Sequence, residues 1–248
     1  MTLRGAIVDL DGTVYRGGDL VDGAATGIDA LRAAGADVLF FSNNPLKDGD
    51  AYLDHLAGLG LDVDGMQACS AGVVTTEYLQ AHHADEEILL IGDDGLREQL
   101  RAADLLLTTD PDQCDVLVAS WTESFDYGDM QTALDAVGPD TVFLGSDPDR
   151  TFPMEDGGLV PGSGAIIGAV AAVVGRDPDA ILGKPSEAAL SAALDRLDTD
   201  LRMGDRAGMT TVLTLSGVTD RADIADSDIE PDFIIETLGD VDAVLAEL

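Results

Sequence analysis

Seven short apolar runs, separated by amphipathic stretches of helix length, constrain this chain more than any other feature. They are Ala6 to Val8, Val38 to Phe41, Ile88 to Ile91, Val116 to Ala119, Thr141 to Leu144, Thr211 to Leu215 and Phe233 to Ile235. Apolar runs of this length without polar alternation are those of strands covered on both faces, and the stretches between them supply the covering helices. The pattern predicts an α/β fold with a parallel sheet. In the stretch Gly23 to Ala34, Ile28 and Leu31 share one face, and Gly35 stands where a left-handed C-terminal residue belongs. Ser186 is placed to cap a helix from Glu187 to about Arg196.

Charge narrows the setting. The 248 residues carry 48 acidic against 13 basic side chains, a formal net charge of -35, and the only lysines are Lys47 and Lys184. The acids run along the whole chain instead of forming a tail. Such a density of like charge opposes compaction at low ionic strength, whereas at about 1 M salt the Debye length falls to ~3 Å and most of the repulsion is screened. The composition predicts a halophile's cytoplasm and excludes nucleic acid and anionic membrane as partners.

Cys69 and Cys114 cannot build a disulfide framework, and the chain has neither a signal peptide nor an apolar run of membrane-spanning length. A cytoplasmic protein is therefore expected. His82 and His83 are sequence neighbours, which do not share a helix face, so the histidines lack metal-ligand spacing. A homo-oligomer stays open, because an apolar patch is recognised only in three dimensions.

In open α/β sheets ligands collect at the carboxyl ends of the strands. There the first run, in IVDLDGTVYRG, delivers Asp9 and Asp11, and the second, in VLFFSNNP, delivers Ser42, Asn43 and Asn44. A lone strand-end carboxylate is commonplace, and SNN by itself reads as turn chemistry. Two carboxylates aimed into one crevice need a chemical reason. Lys184, in ILGKPSEAAL, is a compact cation kept where the chain has nearly abandoned lysine, which points to a charge required at a fixed place.

Two motifs are set aside. PGSGAIIG, residues 161–168, has a dinucleotide-fingerprint look, but it follows a proline instead of a strand and its last glycine interval is wrong. The acids of LLIGDDG, residues 89–95, read as turn residues.

Taken together, DLDGTVYRG, FFSNN, GKPS and TDLRMGDRAGMTTVLTLSG resemble, in order, the motifs of the haloacid dehalogenase (HAD) superfamily. Within it, DGTVYRG, the double asparagine and RAGMTTVLTLSGVT resemble the NagD-like, p-nitrophenyl phosphatase subfamily. The resemblance implies a Rossmann-like parallel-sheet core, residues 1–71 and 181–248, with an inserted α/β cap domain, residues 72–180. It implies a phosphomonoesterase dependent on Mg2+ that hydrolyses a small sugar phosphate, nucleotide or related metabolite through an aspartyl-phosphate.

By the same resemblance Asp9 matches the nucleophile and Asp11 the general acid and base, with Thr13 orienting Asp11. Ser42 and Asn43 hold the transferring oxygens, and Lys184 neutralises charge on Asp9 and the phosphate. Mg2+ is bound by Asp9, the Asp11 carbonyl and Asp200. Two acids are needed because the two roles demand opposite protonation at the start of turnover. Trp121, Phe125 and Tyr127, in SWTESFDY, are candidates for the surface that selects the leaving group, with ordinary packing of the cap as the alternative.

One departure stands out. Family members follow the lysine helix with a strand ending in Gly-Asp, whose aspartate is the direct metal ligand, but here residues 194–197 run straight into Asp198, Thr199 and Asp200. Asp200 matches the second acid of the motif by context and nothing matches the first; Asp198 and Asp205 are the available stand-ins. A buried strand places several apolar side chains in the core at roughly 1.5–3 kcal/mol each, against about 5–15 kcal/mol for a whole domain. The fold is therefore expected to be retained, either by recruitment of residues 201–205 as a replacement strand or because the molecule possesses residues absent from this sequence. The damaged motif keeps a second class in play, a phosphate- or metabolite-binding homologue without turnover. A phospho-accepting receiver also combines acids with a lysine, but Asp11-Gly12-Thr13 and a large cap favour hydrolysis.

The charge makes a directional prediction. Thermal unfolding followed by circular dichroism moves to higher temperature from dilute buffer to molar KCl, and activity rises with it; greatest stability in dilute buffer contradicts the halophile assignment.

Overall fold

The computed structural model describes residues 3–153, 158–196, 209–217 and 231–248. The fold is α/β and divides into two compact units, one of residues 1–42, 50–68 and 193–248, the other of residues 43–49 and 69–192.

In the first unit Gly5–Asp9 and Asp37–Ser42 run parallel, with Gly5 opposite Asp37 and Asp9 opposite Phe41. Val212–Thr214 and Phe233–Ile235 form a second parallel pair, and Tyr15–Arg16 and Asp19–Leu20 a short hairpin. The helix Ala24–Ala33 buries Ala24, Gly27, Ile28 and Leu31, a stripe at helical spacing. Gly27 lets the chain approach closely, since a Cβ there would lie 2.2 Å from the Leu238 carbonyl oxygen. The helix stops as expected: Gly35 takes φ +88°, and the N–H groups of Gly35 and Ala36 return to Arg32 and Leu31. Val8, Leu10, Ile28, Val38, Phe40 and Leu56 belong to the core cluster of this unit.

Gln67–Ser70 carries the chain into the second unit. Its sheet has five strands in the order Ala180–Ile181, Val142–Gly145, Val116–Ala119, Ile88–Ile91 and Leu107–Thr108, all parallel. The runs ILLI and VLVA are buried at every position, as two-sided coverage requires. Helix starts follow their capping residues: Asp93 accepts from the Gly95 N–H, Asp126 forms a capping box with Asp129, and Ser186 Oγ accepts from the Ala189 N–H at 3.0 Å. The acids of LLIGDDG are thus at a helix start. PGSGAIIG ends the hairpin Thr151–Pro153 with Leu159–Pro161 and opens the helix Ser163–Val174, which is not the strand-to-helix turn of a dinucleotide site.

Among the described residues no helix is long and apolar enough to cross a membrane. Asp198, Asp200, Asp205 and the candidate replacement strand at 201–205 lie outside the described residues.

Candidate active site

In the first unit the geometry begins with Leu10, wholly buried between exposed Asp9 and Asp11. The N–H groups of Thr13, Val14 and Tyr15 all reach the Leu10 carbonyl, at 3.2, 2.9 and 3.3 Å, closing a tight turn directly after the strand. Gly12 is the residue that permits it. Its φ is +82°, and a Cβ there would come within 2.9 Å of the Gly217 Cα.

Hydroxyl groups converge on Asp11. Ser42 Oγ donates to Asp11 Oδ2 at 3.1 Å, and Tyr52 OH donates to Ser42 Oγ at 3.4 Å. The buried Tyr15 phenol also donates to Asp11; burial first, then the charges of Asp11 and Asp9, push its pKa far above the ordinary phenol value, so it remains a donor. Thr13 takes a different partner from the expected one: its Oγ1 lies 3.3 Å from Thr214 Oγ1, 201 positions along the chain. The hydroxyls on Asp11 come from Ser42 and Tyr15.

In the second unit Asn43 and Lys184 are joined twice. The Lys184 N–H donates to Asn43 Oδ1 at 2.8 Å and Asn43 Nδ2 donates to the Lys184 carbonyl at 3.1 Å. The Asn43 side chain thereby fixes the lysine's main chain. Trp121 Nε1 donates to the Pro161 carbonyl at 3.1 Å and its ring meets Phe152 edge-on at 5.6 Å. Phe125 packs against the cluster around Leu89, Ile91 and Phe143. Tyr127, 77% exposed at the first position of the helix Tyr127–Ala136, presents its ring to solvent.

Comparison with known proteins fixes the family. A model of haloacid dehalogenase-like hydrolases matches residues 6–106, and a HAD-hydrolase-like model matches residues 181–241. The sugar-phosphatase AraL of Bacillus subtilis is 30% identical over 257 aligned residues, covering 98% of this chain and 93% of the relative. The chain belongs to the haloacid dehalogenase-like hydrolases. Among solved structures, the p-nitrophenyl phosphatase of Archaeoglobus fulgidus superposes with a TM-score of 0.86 at 30% identity, with both chains fully covered. A Mycobacterium tuberculosis glycerol phosphate phosphatase in complex with magnesium gives 0.78 at 26% identity, over 94% of this chain and 74% of that one.

A divalent metal in such a hydrolase needs hard oxygen donors. Asp9 and Asp11, both exposed, supply oxygen donors of the kind a magnesium-type ion takes. Asp200, the further acid expected, lies outside the described residues, and among the described residues no group of three or more His, Cys, Asp and Glu forms a metal-binding cluster.

Tyr15, Tyr52 and Asp147 were not marked by sequence reasoning. Tyr15 stands inside DGTVYRG, where the motif's acids draw attention, and Tyr52 is marked only by its helical spacing from Leu56. Asp147, in GSDPD, has the look of a turn residue. It is 2% exposed and accepts from Ser146 Oγ at 2.9 Å and from the Asp149 N–H at 3.2 Å. Burial pushes its pKa up to about 6, against the opposing hydrogen bonds from Ser163 and Ser146, and the Asp149 charge adds to the rise.

The folded state of this hydrolase therefore holds the Asp147 proton more tightly than the unfolded chain, whose ordinary value is 3.8. That contribution is complete below the unfolded value and is lost as pH rises through about 6. Asp147→Asn, uncharged throughout, is expected to gain stability relative to wild type by up to about 3 kcal/mol between roughly pH 4 and pH 7 and to hold a constant difference above. Urea unfolding of both proteins across this range checks it; a difference that does not change with pH contradicts the buried-acid assignment.

Proposed function

We propose that this chain is a Mg2+-dependent phosphomonoesterase that hydrolyses a small phosphorylated metabolite, a sugar phosphate foremost, through an aspartyl-phosphate, in the cytoplasm of a halophile. The observation that carries the proposal is the turn at Leu10, which leaves Asp9 and Asp11 both exposed and gives Asp11 hydroxyl donors from Ser42 and Tyr15. The name of the Bacillus subtilis relative supports sugar phosphates, the magnesium complex of the Mycobacterium tuberculosis structure supports the metal, and the charge of -35 supports the saline setting.

In this mechanism an Asp9 carboxylate oxygen attacks phosphorus. The bond from phosphorus to the ester oxygen breaks, and Asp11 gives its proton to the departing alkoxide. Asp11, now ionised, takes a proton from water as the water oxygen attacks phosphorus, which releases inorganic phosphate and restores Asp9. Ser42 and Tyr15 hold the Asp11 carboxyl in place for the proton shuttle. Asn43 fixes the main chain at Lys184, whose ammonium offsets charge on Asp9 and the phosphoryl group. Asp9, the Asp11 carbonyl and Asp200 would hold Mg2+, which when bound supplies further positive charge to the phosphoryl oxygens.

Residues 72–180 act as the cap over a core of residues 1–71 and 181–248, excluding water and selecting the leaving group. Trp121, Phe125 and Tyr127 belong to its selective surface, with Tyr127 the most exposed of them to solvent.

Phosphate release from a panel of sugar phosphates, glycerol phosphates and nucleotides in molar KCl tests the proposal. Turnover is expected with Mg2+ and not with EDTA, and Asp9→Asn is expected to lower the rate by ~10³-fold or more while leaving the unfolding temperature within a few degrees. A folded wild-type protein that binds inorganic phosphate and turns over none of the panel is instead the binding homologue.

A further inference from the structure

We propose that Asp147 is a positioning residue for Lys184, acting through Gly183; the inference rests on the phosphatase function proposed above. Ala180–Ile181 lies parallel to Val142–Gly145, with Ala180 opposite Leu144 and Ile181 opposite Gly145. The ladder continues beyond both strands: the Leu182 N–H donates to the Gly145 carbonyl at 2.9 Å and the Gly183 N–H to the Ser146 carbonyl at 2.7 Å. Residues 182–184 are thereby laid along Ser146 and Asp147.

Gly183 is wedged where they meet. A Cβ built on it would lie 2.7 Å from the Asp147 Cβ on one side and 2.9 Å from Asn43 Oδ1 on the other. Asn43 in turn holds the main chain of Lys184 at both its N–H and its carbonyl. The residue before the lysine thus touches Asp147 and Asn43, and the lysine's own backbone is clamped by Asn43. Asp147 is itself pinned, by Ser146 Oγ and the Asp149 N–H and by the Ser163 hydroxyl at the start of the helix Ser163–Val174. Ser146 and Ser163 are as buried as Asp147.

A carboxyl group sealed from water is a costly component of a core. Here it fastens three segments, the end of one strand, the turn at Asp149 and a helix start, against the glycine that precedes a functional cation. Without the carboxyl group those donors lose their acceptor, and the Asp147 Cβ and Cα that Gly183 packs against lose the hydrogen bonds that pin them in place. A displacement of about 1 Å at a catalytic group is sufficient to cost ~10²-fold in rate.

A double-mutant cycle separates positioning from general structural support. Asp147→Ala is expected to lower kcat about 10- to 100-fold with KM changed less than about threefold, and Asp147→Asn, which keeps the shape and an acceptor oxygen, to restore most of kcat. In a Lys184→Ala background the same Asp147→Ala change is expected to cost less than about twofold, because the group it acts through is gone. Equal losses in both backgrounds overturn the proposal, as does wild-type kcat in Asp147→Ala. Unfolding temperatures in molar KCl establish that each variant folds, and Asp147→Ser replaces Asp147→Ala in the cycle if the latter does not.

The same cycle read by calorimetric binding of inorganic phosphate does not depend on turnover. Weakened phosphate binding by Asp147→Ala only where Lys184 is present supports the proposal even if wild type proves to be a binding homologue. Additive weakening, or no phosphate binding by folded wild type, overturns it.

Discussion

Leu10 is the side chain on which the candidate active site turns. Complete burial of a leucine favours the folded state by roughly 1.5–3 kcal/mol, and here that burial sits between two residues that must face outward. With Leu10 held in the core, its carbonyl collects three consecutive N–H groups and the chain reverses at once. Asp9 and Asp11 are then both exposed, with only the buried Leu10 between them. Gly12 completes the arrangement, because its left-handed φ and the nearby Gly217 leave no room for a side chain. The order Asp-Leu-Asp-Gly is therefore a geometric specification as much as a chemical one.

Charge is the second constraint. A chain with 48 acids and 13 bases has few cations to place, and Lys184 is one of only two lysines. The structure invests hydrogen bonds in its backbone: Asn43 holds both main-chain groups of the lysine, and Gly183 sits against Asp147. Asp147 adds buried negative charge to an already anionic molecule, and the hydroxyls of Ser146 and Ser163 compensate only in part. Its retention in the core fits a role in holding the loop rather than in stabilising the fold.

Most of the framework was legible because two-sided burial writes itself into sequence as unbroken apolar runs. ILLI and VLVA became central strands, Gly35 ended its helix in the left-handed region, and Ser186 capped the next one along its motif. The hairpin of Thr151–Pro153 with Leu159–Pro161 was not legible, since its short strands carry prolines and too few residues to show a period. Hydroxyl partners were hidden for another reason. Whether Thr13 meets Asp11 or Thr214 is decided by a strand 201 positions away, and the pairing of Tyr52 with Ser42 by a neighbouring helix. Local spacing identifies which residues can do chemistry; the long-range packing chooses among them.

The central claim is that Asp9 becomes covalently phosphorylated during turnover. Rapid acid quench of the protein mixed with excess substrate and Mg2+ in molar KCl, followed by borohydride reduction and peptide mass mapping, tests it directly, because an acyl phosphate is reduced to the alcohol whereas a free carboxylate is not. The account predicts homoserine in place of Asp9, dependent on substrate and absent when Asp9→Asn is treated alike. Continued phosphate release with reduction at Asp11 instead, or at no aspartate, would contradict it.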